Sequence, residues 1–492
     1  MGRFRESGWL ALVAVAAGAV AYWPITGSYF HADDFLLLFD AADGRAGELL
    51  ITPHGGHLLV VRNAVFLVQH ALFGAAPDGY YWTAYLTHLV NAALLFAVIR
   101  RATGSARLAC AGATLWAVSP LNEGALNWYA VYGQVLLTTC VLGALLCLLR
   151  LDDGAAGPRA GGLAAALVFA GALCFGTGIG IAAGLALAIG LLIPGRQWRH
   201  TRRWFRLLPA LLALVYVGLQ IGYAVLTGHR HASAAMAIDA RTLLLDVPVM
   251  TACLLAYGTA GLVGGGWVAA LSEHALLIGG AAIVAIGAAL GARRDLIGRR
   301  LGACALLVLG AYGIVAVGRV PTVAALGLTF AQGATWSRYH YAATAIIAVG
   351  LCLALSRLRP PAIAADGALL AALLAIGAAV ALHPPAIDPR TESRQAVDHM
   401  RDAVTRNAAA TAPGGTAFVH NRNVYPLNHL LERDSFAGWA ALYVIFFPSN
   451  TVDGRAVRFV DPDPGVVAAV RARPGSRLAE LLVTREEYRA QR

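Results

Sequence analysis

The feature that most constrains this chain is the recurrence of apolar runs long enough to cross a bilayer. They occur near 8–25, 80–99, 107–120, 130–149, 163–177, 178–193, 207–226, 275–291, 301–318, 339–356 and 366–383, eleven in all. A spanning helix needs about 20 mostly apolar residues. Composition agrees: 13% of residues are charged and 58% hydrophobic, with a mean hydropathy of +0.64. Soluble domains carry roughly 25% charge. A soluble enzyme, a disordered chain and a fibrous protein are excluded, and an all-α transmembrane helix bundle is predicted. The first run follows Arg3 and Arg5 as in a signal peptide. It lacks a small-x-small cleavage site and is followed by further spans, so it reads as a retained helix.

Arginine placement sets the expected topology. The formal charge is +11, and no Lys occurs. In a membrane protein the location of the cations decides their meaning, so a nucleic-acid partner is not implied. With the N-terminus inside, eighteen Arg of the membrane part fall on the inner side, among them Arg100, Arg101, Arg150, Arg202, Arg300 and Arg357. Six fall outside: Arg45, Arg62, Arg230, Arg241, Arg319 and Arg338. This holds if the apolar stretch 243–267 makes no simple crossing. Gly258, Gly261 and Gly264-Gly265-Gly266 fit a re-entrant or interfacial helix there. The reading is a multi-pass protein of the cell (inner) membrane, with a cytoplasmic N-terminus and an extracytoplasmic tail.

Residues 1–383 read as the membrane domain, with a first outer loop at 26–79, and 384–492 as a small α/β domain. In the tail, Thr416–His420, Ala440–Phe447, Val457–Val460 and Leu481–Thr484 read as strands, and 391–410 and 464–472 as helices. The seven Cys all lie in apolar runs without a CxxC and read as small core hydrophobes.

Four polar clusters stand out, each with a plain alternative. Asp33-Asp34 opens the first outer loop, followed by the apolar Phe35–Phe39. An Asp at the membrane boundary can take a proton from a hydroxyl, yet acidic residues are also ordinary in such loops. Phe35–Phe39 reads as an interfacial helix that holds the pair at headgroup level. His54, His57 and Arg62 follow. With His31, Asp33 and Asp34 the histidines can form a metal site on composition alone. Otherwise His57 and Arg62 line a polar cavity, or Arg62 snorkels from an amphipathic run to Phe73. Glu123, Asn127, Trp128 and Gln134 follow Pro120 at the end of the third span. They are either a functional cluster at the bundle mouth or a polar turn. Trp336-Ser337-Arg338-Tyr339 opens the tenth span. Arg338 there breaks the positive-inside trend, which a bound phosphate or an aromatic belt would explain. His70 and His88 read as core histidines.

Taken together these residues resemble the polytopic glycosyltransferases of the C superfamily, which use a polyprenyl-phosphate-linked sugar, and among them the protein O-mannosyltransferase-like branch and its bacterial relatives. The resemblance covers residues 8–150, with an echo at 336–342. It rests on Asp33-Asp34, the helix His57 to Phe73 with Gly74, the span with His88 and Asn91, and Ser119-Pro120 with Glu123 and Trp128. Val60-Val61 stands where relatives often have Pro before the helix Arg, and the tail lacks their helical repeats. The resemblance implies inverting transfer to a hydroxyl of a protein, lipid or glycan. Asp33 would be the base, Asp34 would position the acceptor or a divalent cation, and Arg338 would stabilise the leaving phosphate. His57, Arg62, Glu123 and Tyr339 would contribute to substrate binding. Two other classes compete: a transporter or lipid flippase, and an assembly or sensor protein. Transporters commonly show inverted repeats and midplane polar groups. Here no repeat is visible and the polar clusters fall at the outer face.

Overall fold

The computed structural model describes residues 2–51, 57–227, 239–264, 271–292, 295–357, 387–388, 390–422, 438–472 and 475–491. The membrane part is helical: α1 (Gly2–Tyr22), α2 (Asp33–Ala42), α3 (Ala46–Ile51), α4 (Val60–Phe73), α5 (Pro77–Thr103), α6 (Ala106–Ala117), α7 (Glu123–Leu126), α8 (Tyr132–Asp152), α9 (Arg159–Ala172), α10 (Thr177–Leu192), α11 (Arg199–Thr227), α12 (Val247–Gly264), α13 (Glu273–Gly291), α14 (Leu296–Ala325), α15 (Phe330–Ala334) and α16 (Tyr341–Arg357). Local chemistry marks the helix ends. Pro77 occupies the first turn of α5, and Gly104 closes it at φ 74°. The side chains of Ser105, Ser272 and Asp295 accept backbone N–H groups at the starts of α6, α13 and α14. Among the described residues, six helical stretches are long and apolar enough to cross a membrane, which makes this a multi-pass membrane protein. Ten of the eleven expected spans are helices; the eleventh, 366–383, lies outside the described residues.

Small residues bring helices into backbone contact. A Cβ on Gly180 of α10 would collide with the carbonyl of Gly310 on α14, and one on Gly184 with the carbonyl of Leu306. In lipid, such close van der Waals packing replaces the hydrophobic drive as the force between helices.

The helices share two distinct ends. At one end, Tyr22 Oη donates to the Ser119 carbonyl (2.5 Å), Tyr81 Oη to Tyr29 (2.7 Å), and Gln134 Nε2 to Thr177 Oγ1 (3.0 Å). At the other, the buried Arg300 donates to the Ala102 carbonyl at 2.8 Å and pairs with Asp152 and Asp153, each at 3.2 Å. Arg101 pairs with Asp153 (2.9 Å), and Arg202 donates to the Ile193 carbonyl (2.8 Å). The arginine-rich loops therefore gather away from the acidic pair, as their distribution predicted.

Helix α12 runs without a break through Gly258 and Gly261. The glycines do not interrupt it; they make room for the Tyr312 hydroxyl and the Leu121 side chain. The expected re-entrant or interfacial helix is a continuous helix over Val247–Gly264. By length and composition Thr242–Leu262 qualifies as a span. Met250 lies near Gly333 and Gly261 near Leu121, both at the end that carries the acidic pair. The chain is also at that end before and after α12. Tyr216 of α11 bonds the backbone of Leu58 at 3.1 Å, and Glu273 at the start of α13 accepts the Phe330 N–H at 2.8 Å.

The tail carries α17 (Thr391–Ala409), β1 (Thr416–His420), α18 (Gly438–Phe446), β2 (Thr451–Val452), β3 (Arg455–Asp461), α19 (Pro464–Arg471), α20 (Arg477–Leu481), β4 (Leu482–Thr484) and α21 (Arg485–Ala490). Strand β3 pairs in parallel with β1 (Thr416↔Ala456) and β4 (Phe459↔Leu482), and antiparallel with β2. The expected strand 440–447 is instead α18. An apolar run without periodicity reads equally as a buried strand or a buried helix. Here Asn421 Oδ1 accepts the Ala440 N–H at 3.0 Å and starts a helix. The interfacial reading of Phe35–Phe39 is likewise corrected. Phe35, Leu37, Leu38 and Phe39 are buried, because α18 packs against α2 from the tail side. Asp43 Oδ1 accepts the Leu478 N–H at 3.2 Å, so the tail rests on the face that bears the acidic pair.

Gly180→Leu should force α10 from α14 and destabilise the fold by about 1–3 kcal/mol or more. Gly190→Leu, where a Cβ meets nothing within 4 Å, should be neutral. Thermal unfolding of both variants in detergent checks the difference.

Candidate functional site

The acidic pair forms the first turn of α2 and follows a strained residue. Ala32 has φ 45° and ψ −115°, a region that costs a non-glycine residue conformational energy. The two carboxylates differ sharply in environment. Asp34 is 1% exposed. Its Oδ2 accepts the His31 N–H at 2.8 Å, and its Oδ1 accepts the Ala130 N–H at 2.6 Å. Both oxygens are thus committed to backbone, one bond within the loop and one to the turn before α8. Burial pushes the Asp34 carboxyl from 3.8 up to about 7, against the pull of these two bonds. Asp33 is only partly covered. Of the two, it is the carboxylate that a substrate can approach.

Arg62 lies in the first turn of α4 and is 0% exposed. Its Nε, Nη1 and Nη2 have no hydrogen-bond acceptor among the described residues. Tyr129, Asp33, Asp34 and Cys174 surround it electrostatically. Burial lowers its pKa to about 10, so it remains charged at neutral pH. The backbone beneath it is fixed: the Val61 N–H donates to the Leu173 carbonyl at 3.1 Å, and Asn63 Nδ2 to the Leu49 carbonyl at 2.5 Å. Snorkelling is excluded, since the guanidinium does not reach solvent. A guanidinium carries five donors in a planar fork. Holding one in a dry interior is costly unless an anion meets it.

A second group of side chains sits at the junction of α7, α14 and α16. The Arg338 guanidinium lies over three rings: Trp128 at 5.2 Å, Trp336 at 5.0 Å and Tyr339 at 5.1 Å. Arg319 approaches the Tyr339 ring at 5.4 Å, and its Nη2 stands 3.4 Å from His57 Nε2. The Tyr339 hydroxyl is buried, with no partner among the described residues. Ser337 Oγ donates to Glu123 Oε2 at 3.3 Å, and Gly124 leaves no room for a Cβ against Ser337 and the Arg338 backbone. Glu123 and Arg338, 215 positions apart in sequence, are thereby brought together.

The two groups meet on both sides. Trp128 packs edge-on against His31 at 5.9 Å and under Arg338. The His57 ring packs at a tilt against Phe175 at 5.5 Å, next to Cys174, which neighbours Arg62. All seven residues singled out in the sequence (Asp33, Asp34, His57, Arg62, Glu123, Arg338 and Tyr339) fall within these two groups. His54 lies outside the described residues. Among the described residues, no three His, Cys, Asp or Glu side chains gather as they would around a metal ion. His88 is a core histidine: Nε2 contacts the Ala117 carbonyl at 2.9 Å and Nδ1 the Tyr341 hydroxyl at 2.8 Å. Sequence reasoning missed Arg319, although its place at the end of a span carried the same signal as Arg338. Tyr129, which belongs to the Asn127-Trp128-Tyr129 stretch of the third cluster, neighbours Arg62 and donates to Gln69 Oε1.

No protein-family model matches this chain, and no curated protein matches it. Among solved structures, the crystal structure of ArnT from Cupriavidus metallidurans bound to undecaprenyl phosphate is similar. It has a TM-score of 0.45 and 15% identity, covering 98% of this chain and 90% of that one. A likeness at this level assigns no residue, substrate or activity.

The raised Asp34 pKa has a defined sign. The fold favours the neutral carboxyl, so its contribution to stability is complete below 3.8 and is lost as pH rises through about 7. Asp34→Asn has no charge to bury. The unfolding temperature of wild type minus that of Asp34→Asn should therefore fall between pH 4 and pH 8. A difference independent of pH would contradict the assignment.

Proposed function

We propose that this chain is a membrane glycosyltransferase that moves a sugar from a polyprenyl-phosphate donor to an acceptor hydroxyl, with inversion. The observation that carries the reading is the juxtaposition of a fully buried Arg62 guanidinium, unpartnered among the described residues, with a carboxylate pair of which one member is accessible. A lipid-linked sugar phosphate brings the anion that such a guanidinium lacks, and its polyprenyl tail suits a site at the end of a membrane bundle. The charge of Arg62 would otherwise be buried at a net cost.

In this reading Asp33 accepts the acceptor's hydroxyl proton as that oxygen attacks the anomeric carbon. The bond from that carbon to the phosphate oxygen breaks, and polyprenyl phosphate leaves with the electron pair. Negative charge grows on the phosphate, and Arg62 meets it through paired, charge-assisted hydrogen bonds. Asp34 holds Asp33 in place by fixing the first turn of α2 to the Ala130 N–H. Arg338, already stacked on three rings, takes a supporting part with Tyr339, Arg319 and His57 along the donor. Glu123 secures the segment that carries Arg338 through Ser337. No step is routed through a divalent ion.

Two predictions test the roles. Asp33→Asn, which cannot accept a proton, should lower turnover by about 10²–10⁴-fold with unfolding unchanged. Steady-state transfer from a purified polyprenyl-phosphate sugar to a defined acceptor measures it, and near wild-type turnover would remove Asp33 as base. Arg62→Met should lose about 2–4 kcal/mol of transition-state stabilisation, with Arg62→Lys in between because it keeps the charge without the fork. Since an unpartnered buried charge destabilises, Arg62→Met should also unfold no earlier than wild type. Full activity in Arg62→Met would return the phosphate role to Arg338.

A further inference from the structure

A buried asparagine joins three separate segments beside the acidic pair. Asn127 is 0% exposed. Its Oδ1 accepts Ser28 Oγ of the first loop at 2.5 Å, and its N–H donates to the Glu123 carbonyl at 2.8 Å. Its other two bonds go to the tail. Asn127 Nδ2 donates to the Asp388 carbonyl at 2.9 Å, and Arg390 Nη2 donates to the Asn127 carbonyl at 3.3 Å. The next residue, Trp128, lies under Arg338, and Ala130 supplies the N–H that binds Asp34. Only two residues, Trp128 and Tyr129, thus separate the tail's contact from the carboxylate's anchor.

Arg390 is held in place at a conformational cost. It has φ 55° and ψ 42°, the left-handed region that an arginine rarely adopts. Its N–H bonds Asp388 Oδ1 at 2.8 Å and its Nη1 bonds Asp388 Oδ2 at 2.5 Å, which lock the fold-back. Ile387 packs on the core, and Arg394 Nη2 donates to the Gly27 carbonyl at 3.2 Å. The fold-back aims the Arg390 side chain at the site. It is 14% exposed, and its charge faces both Asp34 and Glu123. A strained residue kept beside a site is a reason to look for a role there.

We propose that Arg390 is a positioning residue: through Asn127 it sets the 127–130 turn, and so fixes Asp34 and the aromatic seat of Arg338. The tail is then a working part of the site rather than an appendage beside it. The consequence for transfer rests on the glycosyltransferase reading; the positioning itself does not.

The test uses the full-length protein in detergent, with Arg390→Asn, which tolerates the left-handed backbone but has no guanidinium. Arg394→Ala is the control, since it weakens tail docking without touching Asn127. Hydrogen exchange followed by mass spectrometry reads the peptide that contains the Ala130 amide. Exchange there should quicken about tenfold or more in Arg390→Asn, stay at the wild-type rate in Arg394→Ala, and return part-way in Arg390→Lys. Unchanged exchange in Arg390→Asn, or equal quickening in Arg394→Ala, overturns the proposal. With a polyprenyl-phosphate sugar as donor, kcat should fall about tenfold in Arg390→Asn with the donor KM within twofold. A wild-type protein that transfers no sugar while the exchange pattern holds strikes the function, not the positioning. Transfer by wild type that Arg390→Asn leaves unaffected overturns the claim that the tail is a working part of the site, and leaves the glycosyltransferase reading intact.

Discussion

A carboxylate taken wholly out of water must find donors, and the structure around Asp34 is arranged to supply them. One N–H comes from His31 in the same loop and one from Ala130, 96 positions along the chain. The second bond fastens the first loop to the turn before α8, and much else depends on it. It sets the first turn of α2, hence Asp33. It sets the 127–130 turn, hence Trp128 and the seat of Arg338. In a low-dielectric interior neither partner of such a bond has an alternative in water.

Arg62 poses the opposite problem. Its donors are as deeply buried as Asp34, yet the described residues offer them no acceptor. The nearby carboxylates of Asp33 and Asp34 lend it electrostatic support. A cation in that state is a cost to the fold and an asset to binding. An anion that enters gains a fork of donors that no water or side chain must first release, which is the sense in which a site is preorganised. The same logic separates Arg62 from Arg338. Both are cations at the same end of the bundle, but three aromatic faces already occupy Arg338 and leave less of it for a phosphate.

The sequence made most of the membrane fold legible because the relevant physics is local. Spans follow from apolar length, and Arg100 to Arg107, Arg202 and Arg300 cluster at one end as the charge rule requires. In the segment 243–267 the glycines suggest a re-entrant or interfacial helix, but Gly258 and Gly261 accommodate Tyr312 and Leu121 within a continuous helix. Two readings failed where burial is all-round. Ala440–Phe447 has no polar face to reveal a period, so Asn421, a capping residue nineteen positions earlier, decided for a helix. Phe35–Phe39 was assigned to the headgroups because its cover, α18, lies some 400 residues away. In the site, the chemistry-bearing residues were visible as exceptions to composition. Their ranking was not, since whether a guanidinium is stacked, paired or alone depends on contacts between distant segments.

The most direct test is a structure of the full chain with a polyprenyl phosphate bound. The account predicts phosphate oxygens within hydrogen-bonding distance of the Arg62 guanidinium, with the Asp33 carboxylate on the side from which an acceptor would approach and the Asp34–Ala130 bond intact. A phosphate bound away from Arg62, with the guanidinium still unpartnered, would contradict it.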